Sequence, residues 1–104
     1  MKPEEQRIAI AKACGYPNPR MGVFGKCYAG ELPSLEEVPD YLNDLNAMHE
    51  AEKIFLVGAV EEDWKRYDAY RNRLNDMVGI EDAHVATAAQ RAEAFLRTLD
   101  LWTE

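Results

Sequence analysis

Cysteine is scarce in this chain. Cys14 and Cys27 are its only two, too few for a disulfide framework, so the fold must rest on an apolar core with reduced thiols, as in a cytoplasm. Long apolar runs are missing as well. The opening MKPEEQRIAIAK lacks the continuous apolar stretch of a signal peptide, and no run approaches the roughly 20 apolar residues of a membrane span. A cytoplasmic protein without membrane contact is expected. Histidine is limited to His49 and His84, and Cys14, Cys27, His49 and His84 show none of the short paired spacings of a zinc site. His49-Glu50-x-x-Lys53 has the outline of a metalloprotease helix, but a charged lysine stands where the second metal ligand belongs. Gly22-Val-Phe-Gly25-Lys26 resembles the end of a phosphate-binding loop, yet Arg20 replaces the first glycine and Cys27 the magnesium-binding hydroxyl. No metal and no cofactor are therefore expected. Internal repeats, low-complexity tracts and a domain boundary are also absent, which leaves one domain spanning 1–104.

Basic residues are nearly missing from the middle of the chain. Residues 1–30 carry five Lys/Arg against two acids, a net +3, whereas residues 31–63 carry ten acids against Lys53 alone, a net -9. Residues 64–104 are close to balanced, with six bases and seven acids. A nucleic-acid grip needs clustered Lys and Arg, so this distribution argues against direct nucleic-acid binding and allows a basic protein partner instead. The same imbalance serves equally as the solvated face that keeps a small protein in solution.

What is present is core material and helix punctuation. Apolar residues make up 47%, including two Trp, five Tyr and three Phe, enough to order most of the chain. Pro3 followed by Glu4 and Glu5 starts a helix that runs to Cys14 and closes at Gly15. From Tyr16 to Pro33, repeated Pro and Gly exclude a continuous helix. Within that stretch a hairpin is expected, pairing Met21–Phe24 with Cys27–Ala29 across a Gly25-Lys26 turn. Ser34 to Glu37 reads as a single helical turn, because Pro39 would interrupt a longer one.

The longest stretch with helical apolar spacing is Asp40–Leu56. At about 100° per residue, Tyr41, Leu42, Leu45, Met48, Phe55 and Leu56 gather on one side, with Asp40 as cap and Gly58 near the end. The hairpin is expected to pack on this central helix. A third helix opens at Glu61, Glu62 and Asp63, carries Trp64, Tyr67, Tyr70, Leu74, Met77 and Val78 at threes and fours, and stops at Gly79. The last begins with the capping box Thr87-Ala-Ala-Gln90 and ends near Asp100, with Leu101 and Trp102 packing back. The fold class is thus α+β, mostly helical: four helices with a small β-hairpin after the first.

Three blocks, EEQRIAIAKACGY, DYLNDLNAMHEAEK and ATAAQRAEAFLRTLDLW, resemble a group of small tailed-phage and prophage proteins, some of them described as the phage ABA sandwich domain. The resemblance implies a phage origin and an α/β/α arrangement, and it brings no assigned activity and no catalytic residues. The chain departs from the sandwich pattern after Phe55, where WKRYDAYRNRLNDM reads as helix.

Two sets of residues remain as functional candidates. His49 and Glu52, three apart, both tend toward the apolar side of the central helix and form a buried polar pair. Such a pair either prepares a base for catalysis or anchors the helix to Trp64, Tyr67 or Arg91. The second set is the acidic surface: Glu36, Glu37, Asp40, Asp44, Glu50, Glu61, Glu62 and Asp63. Asp40 and Asp44 lie one turn apart, as acid/base chemistry or a divalent cation would use, but on the polar face where carboxylates are ordinarily solvated. Without a nucleophile or an oxyanion loop, the expectation is a non-enzymatic protein-binding module, a phage or prophage accessory protein whose acidic surface docks on a basic host or phage protein. A small enzyme using His49 and Glu52, and a minor structural component of the phage particle, are the alternatives.

Overall fold

The computed structural model of the chain describes residues 1–22, 25–56, 61–79 and 86–103, with the backbone alone for residues 56 and 61–64. Four α-helices and a small three-stranded antiparallel sheet make up these residues, an α+β and mostly helical architecture. Helix α1 spans Pro3–Ala13, with Pro3 in its first turn, Glu4 and Glu5 at its positive end, and Gly15 beyond it at φ 93°. Proline there costs no hydrogen bond, and glycine alone takes that backbone angle without strain.

Strands β1 (Arg20–Met21) and β2 (Cys27–Ala29) pair with Met21 opposite Cys27. The connection therefore runs from Gly22 to Lys26 rather than across Gly25-Lys26, and β1 stops short of the expected Phe24. Gly22 carries the pairing one step further, its N–H donating to the Lys26 carbonyl at 2.7 Å, and a Cβ on it would lie 2.7 Å from the Tyr28 ring. The predicted residues 23–24 lie outside the described residues. Strand β3, Glu36–Glu37, pairs with β2 through Tyr28 opposite Glu37 and Ala29 opposite Glu36. This corrects the helical turn read at Ser34–Glu37. Pairing with β2 overrides the weak local preference of two glutamates, and the ladder continues into the Val38 N–H, which donates to the Cys27 carbonyl at 2.8 Å.

The central helix is shorter than expected. Helix α2 spans Leu45–Glu52 and passes into a 3-10 turn over Lys53–Leu56. Asp44, not Asp40, is its cap, accepting from the Asn46 and Ala47 N–H groups at 3.0 and 3.3 Å. Asp40 instead organises a turn: its carbonyl accepts from the Asn43 and Asp44 N–H groups, and its carboxylate from the Asn43 side chain. Asn and Asp bond readily to nearby backbone, which favours turns and caps over helix interiors. With the helix starting later, Tyr41 is buried from the turn, whereas Leu45 is 42% exposed despite its place in the apolar pattern. Gly58 lies outside the described residues.

Helix α3 spans Glu61–Val78 and ends at Gly79, φ 89°. It contains the WKRYDAYRNRLNDM stretch that departs from the sandwich pattern. Helix α4 covers Ala88–Thr98, and its capping box is formed in both directions, Gln90 N–H to Thr87 Oγ1 at 3.1 Å and Thr87 N–H to Gln90 Oε1 at 2.8 Å. Thr87→Ala is expected to cost about 1 kcal/mol, lowering the thermal midpoint by about 4–8 °C for a domain of this size. Calorimetry checks it, and an unchanged midpoint would mean that the box adds nothing. After α4 the Leu101 N–H returns to the Leu96 carbonyl at 2.8 Å. Trp102 is half-buried beneath the Arg97 guanidinium, but Leu101 stays 39% exposed rather than packing back.

The hub of the packing is α4, which touches α1, α2 and α3. Its Ala92, Phe95 and Leu96 are fully buried, and Phe95 meets Phe55, which stacks on Tyr70, with both ring separations 5.2 Å. Each such ring, once buried, contributes about 1.5–3 kcal/mol by leaving water. The sheet leans on α1 rather than on α2. Beside it Arg7, a buried residue of α1, donates its guanidinium to carbonyls of the segments flanking the strands, Pro39 (2.9 Å), Gly25 (3.5 Å) and Val38.

Candidate interaction surface

Between β2 and β3 the chain forms a short arm, fastened at its base and bare at its tip. At the base, the Gly30 N–H donates to the Pro17 carbonyl at 2.7 Å, and Arg20 Nη1 donates to the carbonyls of Gly30 (2.9 Å) and Asn18 (3.0 Å). Gly30 adopts φ 84° with the Ser34 carbonyl so close that a Cβ would lie 3.1 Å from it, so the tight return depends on glycine. The Ser34 N–H closes the turn onto the Glu31 carbonyl at 2.7 Å. At the tip, Leu32 is 83% exposed and Leu35 is 38% exposed. Glu31, Glu36 and Glu37 around them are all exposed. Successive strand residues face opposite sides, so Glu36 and Glu37 place carboxylates on both faces of the arm.

The eight acids proposed from the sequence have different fates. Glu36 and Glu37 stand on the arm and Asp40 just after it, exposed. Among the described residues, Glu31, Glu36, Glu37 and Asp40 enter no ion pair. Asp44 is spent on capping α2, and Glu50 accepts from Lys53 Nζ at 2.9 Å. The side chains of Glu61, Glu62 and Asp63 lie outside the described residues. Leu32, Leu35 and Glu31 were missed by the sequence reading. The available signal was two leucines among Gly30, Pro33 and Ser34 without apolar mates at strand or helix spacing.

The other candidate, the buried pair, is divided. His49 is exposed, with 49% of its side chain open and its Nδ1 3.8 Å from Glu52 Oε1, so the expectation of a buried His49 is corrected. Its position near the margin of the apolar stripe puts it outside once the helix axis is fixed by α4. Glu52 is mostly buried, and the same Oε1 accepts from Arg91 Nη1 at 2.9 Å, both side chains being 13% and 10% exposed. The Tyr70 hydroxyl lies beside this pair. Burial drives the Tyr70 phenol far above its ordinary range, and the negative Glu52 adds to the rise. Burial works against the Arg91 charge, but Glu52 and Tyr70 outweigh it and hold the guanidinium's pKa above normal. This arrangement ties α2 to α4 and leaves Glu52 engaged by a cation.

No family model, curated protein or solved structure matches this chain.

A cleft of about 470 Å³ lies between Cys14, Tyr16, Tyr41 and Ile54, with the Glu50–Lys53 pair at its rim. Burial pushes the Cys14 thiol up, only partly offset by Tyr41, and burial likewise raises Tyr41, with Cys14 and Tyr16 adding to it. A nucleophilic thiol needs the opposite shift. Cys27 is buried beneath the sheet, its thiol raised by burial and eased by Arg7. No group of three or more His, Cys, Asp or Glu suited to a metal ion occurs among the described residues, and His84 lies outside them. No helix there is long and apolar enough to cross a membrane.

Proposed function

We propose that this chain is a phage or prophage accessory protein that works as a protein-binding module, with the β2–β3 arm and Asp40 as its docking surface. The observation that carries the reading is Leu32, 83% exposed on an arm whose Glu31, Glu36 and Glu37 carboxylates enter no ion pair among the described residues. An apolar anchor ringed by charge is the pattern of a small docking site: the leucine supplies contact energy, and the carboxylates steer and orient the partner. The partner's chemistry follows, a host or phage protein with a basic surface around an apolar pocket. The phage context comes from the sequence resemblance, and the arm agrees with it in requiring no catalytic group.

The test is a pull-down from bacterial host lysate at low and high salt, with the parent chain, the Glu36→Lys/Glu37→Lys variant and Leu32→Ser. The expected partner is held at low salt by the parent and lost with salt, with charge reversal and with the serine variant. A partner retained by all three proteins at both salt concentrations would overturn the reading. Absence of any partner would return the acidic arm to the ordinary role of keeping the surface hydrated.

A further inference from the structure

Helix α1 turns Gln6, Arg7, Ile10 and Ala11 inward and leaves Glu5, Ile8, Ala9 and Lys12 on its outer side. Those four sit at i, i+3, i+4 and i+7, a single stripe on an α-helix. With Leu101 alongside, they line a shallow groove of about 330 Å³. Ile8 and Ala9 are half-buried and form its floor, Leu101 is 39% exposed at its wall, and Glu5 and Lys12 stand exposed at the two ends. Among the described residues neither of these charges is in an ion pair; the Glu5 carboxylate accepts only from the Lys2 backbone N–H, at 3.4 Å.

The stripe is symmetric about its own centre. At 1.5 Å per residue, Glu5 and Lys12 lie at equal distances of about 5 Å on either side of the point midway between Ile8 and Ala9. A twofold axis through that point, perpendicular to the helix, carries Glu5 of one copy onto the partner's Lys12 and the reverse. The same operation sets Ile8 against the partner's Ala9, large against small, and alanine permits close approach of two helices. An isologous interface requires this kind of self-complementarity.

We propose that this face of α1 docks on a second copy of the chain, antiparallel about that twofold axis, with two Glu5–Lys12 ion pairs flanking an Ile8–Ala9 apolar centre. The stripe and Leu101 supply far fewer residues than the roughly 20–30 a side of a standard interface, so the dimer is a weak one. It is independent of the arm.

Sedimentation equilibrium on the full chain tests it. Glu5→Lys alone, or Lys12→Glu alone, places like charges opposite each other in both symmetric pairs and should weaken self-association by about tenfold. Mixing the two single variants in equal amounts restores opposite charges at both positions, and association should return to the parent level. Heteronuclear NMR of the parent over the same concentrations should show shifts confined to Glu5–Lys12 and Leu101, a readout independent of whether the variants fold. Three results would each overturn the proposal: a parent monomeric up to millimolar concentration, single variants that associate like the parent, or a mixture no tighter than its components. Shifts centred on the arm instead of α1 would do the same.

Discussion

Glu52→Leu is expected to destabilise the fold by about 3–5 kcal/mol, the cost of removing one side of a buried ion pair. Arg91 Nη1 donates to Glu52 Oε1 at 2.9 Å, with both side chains at 13% exposure or less, so water cannot replace the lost carboxylate. At a urea dependence of about 1–2 kcal/mol/M the midpoint should fall by about 1.5 M or more. Glu52→Leu combined with Arg91→Met should recover much of the loss, because replacing both members of a buried ion pair by apolar groups of similar shape is often close to neutral. A single variant with an unchanged midpoint would show that the pair contributes nothing to stability.

Arg7→Met comes next, at about 2–4 kcal/mol. The methionine keeps most of the arginine's apolar stem but none of its donors, and the carbonyls of Val38, Pro39 and Gly25 lose their partner together. Lysine should rescue little, since a point charge cannot span three carbonyls as a planar fork does. The effect should also be local. Hydrogen exchange at the Val38 N–H, bonded to the Cys27 carbonyl, should accelerate more than exchange within α4. Uniform acceleration across the chain would mean that Arg7 supports general stability and not the attachment of the sheet.

The helix ends that were legible are those with stereochemical punctuation. Pro3, Gly15, Gly79 and the Thr87–Gln90 box each limit the backbone locally, and the structure places α1, α3 and α4 accordingly. The start of α2 was misplaced because burial and helix are separate properties. Tyr41 is buried from a turn, and its apolar side chain extended the periodic pattern past the true cap at Asp44. Strand β3 was hidden because two glutamates carry almost no strand preference, and only the partner strand, remote in sequence, makes them one. Glu52 is legible as an inward acid in need of a partner, and Arg91 of α4 is one of the groups the sequence offers to it. His49 lay too near the stripe's edge for its side to be settled without the axis set by α4. The arm is the largest omission: an exposed leucine gives no periodic signal, and Leu32 acquires meaning only from the empty space around it.

The placement of Glu36 and Glu37 has a consequence for how the chain behaves in a crowded cell. Among the described residues strand β3 is paired on one side only, and a bare strand edge is a template on which another chain can add its own strand and begin a fibril. Two adjacent like charges at that edge repel an identical incoming edge, and the neighbouring turns leave too few residues for a longer ladder. The carboxylates of this edge therefore act as gatekeepers against aggregation. Trading either glutamate for an apolar residue would weaken that protection.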